Sequence, residues 1–289
     1  MNSNSAESAG APSEAAAPHR IKLVLEYDGT DFHGWQSQGR EDEGAVRTVQ
    51  DELERALARI AGTPVRVAGA GRTDEGVHAD GQVASFDWPK HLPVDKLPEA
   101  LNALLPRDMS ARMASVAAPD FHALASATGK RYVYSVWNAR ARSARHARTH
   151  WHVRYPMRLD LLREAAPALV GTHDFAAFAT NTTEIQELRA AQGKPEMPTV
   201  KEIFDVRIDA PEPLDAEFLG EVRFTVEGSG FLYKMVRTIV GSLVDVGRGR
   251  HEPAWLAQAL ASKDRRQAGP TAPPQGLSLV RVFYENERA

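Results

Sequence analysis

The chain has 289 residues, 43% of them hydrophobic and 25% charged; at this size folding buries about three quarters of the unfolded surface, and the composition is ordinary for globular domains. It contains no cysteine, which excludes disulfides, thiolate nucleophiles, iron–sulfur clusters and thiolate-bound zinc. No apolar run approaches the ~18 residues of a membrane span, so a protein independent of membranes in a reducing cytoplasm is expected.

The formal net charge is −3, but it is unevenly spread. From Phe121 to Leu159 the chain carries Lys130, Arg131, Arg140, Arg142, Arg145, Arg148, Arg154 and Arg158 and no acidic residue. Such a stretch suits an anionic partner bound in one place; it is also what a solvated loop of mixed purpose looks like.

In chain order, residues 1–19 are dominated by Ser, Ala, Pro and Gly and read as a disordered tail, because they cannot bury enough apolar surface to offset their ordering entropy. Ile21, Leu23, Leu25 and Tyr27 alternate with polar neighbours as a strand does. Val46, Val49, Leu53, Leu57 and Ile60 recur every three or four residues and stop before Gly62, the pattern of an amphipathic helix with a glycine cap. Strands follow near Val65–Ala70, Gln82–Asp87 and Met113–Val116, with a short helix at Leu97–Leu105.

The second half repeats this grammar. Lys130–Asn138 reads as a strand and Leu161–Val170, ending at Gly171, as a helix. Val200–Ile208 and Phe218–Val226 read as paired strands, Phe231–Val246 as a helix closed by Gly247, and Pro253 as the opening of another helix. Leu277–Phe283 reads as a last strand. Strands and helices without strict βαβ alternation indicate an α+β fold of two similar subdomains, 20–117 and 118–289, each a mainly antiparallel sheet with helices on one side.

Three places could carry chemistry. In Ala68–Ala79 three glycines crowd a charged turn, and Arg72 and Asp74 at i and i+2 of an extended segment would share a side, the arginine favouring an ionised carboxylate. Asp74 is then either a nucleophile or base, or merely the cap of a turn. In Lys130-Arg131-Tyr132-Val133-Tyr134, alternation puts the tyrosines on one face and Arg131 on the other, an arrangement for stacking bases or for packing a core. Arg237 lies inside the apolar stretch Phe231–Arg237, either buried against a carboxylate or snorkelling to the surface.

The run Gly71-Arg72-Thr73-Asp74-Glu75-Gly76-Val77-His78-Ala79 closely resembles the catalytic motif of the tRNA pseudouridine synthase A family. The resemblance continues through Glu26–Gln36, Arg47-Thr48-Val49-Gln50, Gly81-Gln82-Val83, Asp120-Phe121-His122-Ala123, Lys130–Tyr134, Phe231–Gly241 and Gly276-Leu277. Residues before Arg20 and from Asn181 to Pro198 carry no family signal. Pro274 and Ser278 depart from the family pattern, which favours a small residue and an aromatic there.

The resemblance implies a pseudouridine synthase-like fold with a central RNA-binding cleft, and isomerisation of uridine to pseudouridine at nucleotides 38, 39 and 40 of the tRNA anticodon stem-loop. Asp74 would be the nucleophile and Arg237 its partner. Tyr132 would stack on the uracil, Leu277 would line the base pocket, and Arg72 would help splay the nucleotide out. The N1–C1′ bond breaks, the uracil turns while held, and C5 bonds to C1′ before losing its proton. Such a rearrangement calls for no cofactor or metal. Attack at C1′, attack at C6 and removal of a sugar proton all fit the residues equally. Lys130, Arg131, Arg140, Arg142, Arg145 and Arg148 would grip the tRNA phosphates, and the family implies a homodimer. Two other readings stand beside this one. A non-catalytic tRNA-binding or chaperone protein would have no use for Asp74, and a glycosidase-like hydrolase would want a second carboxylate as acid, for which Glu75 is the nearest candidate.

Overall fold

The computed structural model describes residues 19–38, 46–89, 93–180, 182–193, 195–196, 198–210, 214–215 and 217–285. The tail expected at 1–19 thus lies outside the described residues up to position 18, whereas His19 already opens the first strand.

Strand β1 (His19–Tyr27) buries Ile21, Leu23, Leu25 and Tyr27 on one side, as a period of two requires. Helix α1 (Val49–Ala61) begins later than its apolar pattern suggests. Thr48 is the cap, its Oγ1 accepting from the Asp51 N–H at 3.2 Å. Val46 therefore stays outside the helix, next to Arg47, whose guanidinium grips both oxygens of Asp108 at 2.7 Å. Gly62 closes α1 in the left-handed conformation, as expected. Then come β2 (Ala68–Gly69), β3 (His78–Trp88), α2 (Leu97–Asn102) and β4 (Met109–Val116).

The second half holds β5 (Gly129–Asn138), β6 (Trp151–Val153), α3 (Leu159–Ala165), β7 (Gly171–Asp174), α4 (Thr182–Ala191), β8 (Val200–Asp209) and β9 (Gly220–Gly228), followed by α5 (Met235–Gly247), α6 (Ala254–Ser262) and β10 (Leu277–Phe283). The helix expected to reach Val170 ends at Ala165 and tightens into a 3-10 turn containing Pro167, which has no N–H for an α-helical bond. Gly171 consequently begins β7 and caps no helix. Strands β6 and β7 are too short to announce themselves by alternation, and α4 falls where no element was expected.

Where the sequence suggests a sheet for each half, the strands form one ten-stranded sheet with central order β4-β1-β3-β10-β5-β9-β8-β7; β2 adds to β3 and β6 to β5. All pairings are antiparallel except β10–β3 and β5–β6. The join is β10: Ser278 and Leu279 lie opposite His78 and Ala79 of β3, and Leu277 and Leu279 lie opposite Tyr134 and Tyr132 of β5. Helix α5 packs against β5. The turn before β3, the tyrosines of β5, the start of β10 and the first turn of α5 are thereby brought to one place. No helix among the described residues is long and apolar enough to cross a membrane.

Candidate active site

The turn joining β2 to β3 is held from below by the segment that follows β1. Trp35 N–H donates to the Thr73 carbonyl at 3.0 Å and Gly76 N–H to the Phe32 carbonyl at 3.3 Å. The Tyr27 hydroxyl meets Thr73 Oγ1 at 2.8 Å, and fully buried Gln82 donates to the Gly71 carbonyl at 2.9 Å. Burial pushes the Tyr27 phenol up to about 12, so it serves as a neutral hydrogen-bonding post. Gly34, at φ +84°, lies so close that a Cβ there would stand 2.6 Å from the Thr73 carbonyl oxygen. His78 Nδ1 accepts from the Gly29 N–H at 3.0 Å, which leaves the ring proton on Nε2, shared between the carbonyls of Arg148 at 2.9 Å and Gln275 at 3.2 Å. The run Glu26–Gln36 is thus the floor of this turn. Tyr27, Gln82 and His78 escaped the sequence reading as site residues, although Tyr27 and Gln82 were legible as polar groups on inward-facing strand positions.

Asp74 projects from this turn, closed by the Val77 N–H on the Asp74 carbonyl at 3.1 Å. Among the described residues its carboxylate makes no cap to the backbone; Oδ2 accepts from Arg237 Nη1 at 2.9 Å. Arg237 is buried, and its Nε donates to the Ala272 carbonyl at 2.8 Å, so the guanidinium is aimed before it meets Asp74. The helix bearing it begins at Met235, four residues later than expected, because Lys234 takes a left-handed φ of 58°. Arg72 makes no ion pair with Asp74 among the described residues, although both line the same cavity. Arg72 Nε instead donates to Gln36 Oε1 at 3.2 Å.

Asp74, Arg72, Lys130, Tyr132, Arg237 and Leu277 all line one cavity of about 820 Å³. Phe231 meets the Tyr132 ring edge-on, with centroids 5.1 Å apart. Burial, helped by Tyr27 and Asp74, holds the Tyr132 phenol well above its ordinary value, so the ring is a neutral platform. Leu277 is buried at the start of β10, where the preceding Gly276 passes so close to Tyr134 that a Cβ would lie 2.5 Å from its ring. Burial, then Lys201, push the Lys130 ammonium down. Exposed Glu75 also lines the cavity and has no ion-pair partner among the described residues. Among those residues no three His, Asp or Glu converge as a metal site.

The family model for tRNA pseudouridine synthase matches residues 23–124 and 165–285. The chain belongs to the tRNA pseudouridine synthase family. It is 45% identical over 267 residues to the tRNA pseudouridine synthase A of Myxococcus xanthus, covering 92% of each chain. It is 43% identical to that of Geobacillus kaustophilus, over 93% of this chain and 95% of the relative, and 40% identical to that of Bacillus subtilis, over 92% and 100%. The solved archaeal box H/ACA Nop10-Cbf5 complex aligns over 91% of this chain and 50% of that one with a TM-score of 0.34 and 13% identity, a likeness too remote to bear weight.

For a tRNA pseudouridine synthase the fate of the basic stretch matters, and the structure divides it. Lys130 faces the cleft. Arg131 points to the other side of β5 and donates to Glu227 at 2.5 Å. Arg140 pairs with Glu217 at 3.2 Å, and Arg148 with Asp28 at 3.1 Å and Asp31 at 2.9 Å. Arg142 and Arg145 are exposed without an ion pair among the described residues. Arg148 also borders a second hollow of about 550 Å³ that shares Asp74 and Arg237 with the main cleft.

Proposed function

We propose that this cleft converts uridine to pseudouridine at nucleotides 38, 39 and 40 of the tRNA anticodon stem-loop, with Asp74 as its nucleophile. Uridine isomerisation in tRNA is the activity for which the family is named, and the 2.9 Å Arg237–Asp74 contact in the floor of the cleft carries the finer reading. The arginine holds the carboxylate in one place in a partly buried setting. Attack at C1′, attack at C6 and removal of a sugar proton each begin with that carboxylate oxygen. The glycosidic bond then breaks, the uracil rotates between Tyr132 and the Leu277 side of the pocket, C5 bonds to C1′, any bond to Asp74 is released, and the proton lost from C5 is matched by one taken up at N1 from water. Atoms balance without a second substrate or a redox partner.

Reaching a stem uridine means extruding the nucleotide, at a cost of a few kcal/mol in lost stacking. Arg72, tethered through Nε, keeps both Nη groups without a hydrogen-bond partner among the described residues and is placed to help. Arg142, Arg145 and Lys130 supply phosphate contacts, with Arg131, Arg140 and Arg148 available by exchange of their carboxylate partners. We read the protein as a cytoplasmic homodimer with halves 20–117 and 118–289 meeting at the cleft. Light scattering on the pure protein would return twice the monomer mass.

The deciding experiment follows tritium released from C5-labelled uridine in unmodified tRNA, with the wild type and Asp74→Asn. Release by the wild type alone is expected, with the variant slower by about three orders of magnitude or more. If both proteins bind tRNA and neither releases tritium, the protein is a binding module and this reading fails.

A further inference from the structure

Leu124 stands at the mouth of the cleft, 53% exposed, and lines the same cavity as Arg72, Asp74 and Tyr132. Single exposed leucines are common, but the way this one is held sets it apart. The neighbouring Ala123 is fully buried, its N–H donating to Ser85 Oγ at 3.0 Å and its carbonyl accepting from the Tyr284 hydroxyl at 2.8 Å. The N–H groups of Leu124 and Ala125 both donate to His122 Nδ1, at 3.2 and 3.3 Å. His122 N–H donates to Ser126 Oγ at 3.0 Å, and Ser126 N–H returns to the His122 carbonyl at 2.9 Å. The run Asp120-Phe121-His122-Ala123 therefore builds a turn whose backbone groups are tied on both sides of Leu124, which fixes the point from which the leucine projects. None of the chemistry above uses that turn.

Of the exposed large apolar side chains among the described residues, only Leu124 and Tyr233 line this cavity. Tyr233 already has the Lys234 ammonium over its ring at 4.8 Å; among the described residues no cation is placed over Leu124, which is 53% exposed. A rigid apolar knob at the rim of a cleft with cationic walls matches the side chains that proteins insert between nucleic-acid bases to hold a stack open. We propose that Leu124 is such a wedge, a positioning residue that enters the base stack beside the extruded uridine and keeps the nucleotide from returning. The ligand it contacts is the face of an RNA base next to the target. This proposal rests on the reading of the cleft as a uridine-isomerising site.

The test compares wild type with Leu124→Ala, Leu124→Ser and Leu124→Met in single-turnover tritium release. Two tRNA transcripts are used, one with the target uridine paired in the stem and one with no base opposite it. The substitutions touch an exposed side chain and leave the main-chain bonds of the turn in place, so thermal midpoints should match that of the wild type. On the paired transcript Ala and Ser should slow turnover about tenfold while Met restores it, and tRNA affinity should weaken by less than about threefold. On the transcript with the unpaired uridine the defect should largely vanish. Wild-type rates for Ala and Ser on both transcripts would overturn the wedge. So would an equal loss on both, which is the mark of a merely structural role. A wild type that isomerises neither transcript overturns the cleft reading itself, whereas normal wild-type turnover with normal Leu124→Ala turnover sinks the wedge alone.

Discussion

Arg237 and Arg140 each meet a carboxylate from a distant part of the chain, in opposite surroundings. The Arg237 and Asp74 side chains are 11% and 21% exposed; those of Arg140 and Glu217 are 83% and 61% exposed. Water screens the second pair, which is worth about 0–1 kcal/mol. The first pair is shielded, and the guanidinium has a second acceptor in the Ala272 carbonyl that fixes its direction. One chemical pairing thus serves as a fixed electrostatic device in the cleft and as an exchangeable tether on the basic surface.

That contrast can be broken directly. Arg237→Met should strand the Asp74 carboxylate and the Ala272 carbonyl, costing about 3 kcal/mol in stability and about a hundredfold in turnover. Arg140→Met should change stability by less than about 0.5 kcal/mol. Denaturant midpoints and single-turnover rates for the two variants would show whether burial sets the difference, and equal losses would remove it. Tyr132→Ala should also cost about a hundredfold by removing the stacking face, whereas Tyr132→Phe, which keeps the face and loses a hydroxyl with no hydrogen-bond partner among the described residues, should stay within about threefold of wild type.

Smaller effects sharpen the same line. Lys130 is a cation held in the cleft against its solvation preference, so Lys130→Met should weaken tRNA binding while raising the thermal midpoint slightly. The sign of the pH dependence follows from its lowered pKa. At neutral pH the unfolded chain holds this proton more tightly than the folded one, and the folded state is penalised. As pH rises through the depressed pKa toward the ordinary 10.5, the wild-type lysine discharges and the advantage of Met should shrink. A melting series from pH 7 to 10.5 checks this. The double variant Arg142→Gln, Arg145→Gln should leave stability unchanged and lower the slope of log affinity against log salt by about 2.

Much of this fold was legible because local patterns and tertiary demands agree. Alternation in β1, the capped amphipathic α1 and the paired β8 and β9 all read correctly from spacing. What escaped was decided at long range. Whether Arg237 is buried against a carboxylate depends on Asp74, 163 positions away. The basic stretch looked uncompensated because Asp28, Asp31, Glu217 and Glu227 reach it from other elements. The merging of the expected sheets into one depends on where β10 inserts, which no local pattern encodes. Of the site itself, the motif around Asp74 was visible as an oddity of composition. The floor made by Tyr27, Gly34, Trp35 and His78 became intelligible only when the turn it supports was seen.

The place of β10 also bears on the order in which the molecule can be made. During synthesis β1, β3 and β4 can pair early, and β5, β8 and β9 later, but the strand between the two groups leaves the ribosome after all of them. Until then the edges of β3 at His78–Ala79 and of β5 at Gly129–Tyr134, beyond the parts that β2 and β6 cover, are unpaired, and the cleft lacks Leu277. A nascent chain would therefore carry Asp74 and Tyr132 well before the cavity they line is complete, and open edges are what chaperones and aggregation both recognise. Completion of this sheet, a pairing of high sequence separation, is the step at which folding should be slowest and at which the enzyme becomes an enzyme.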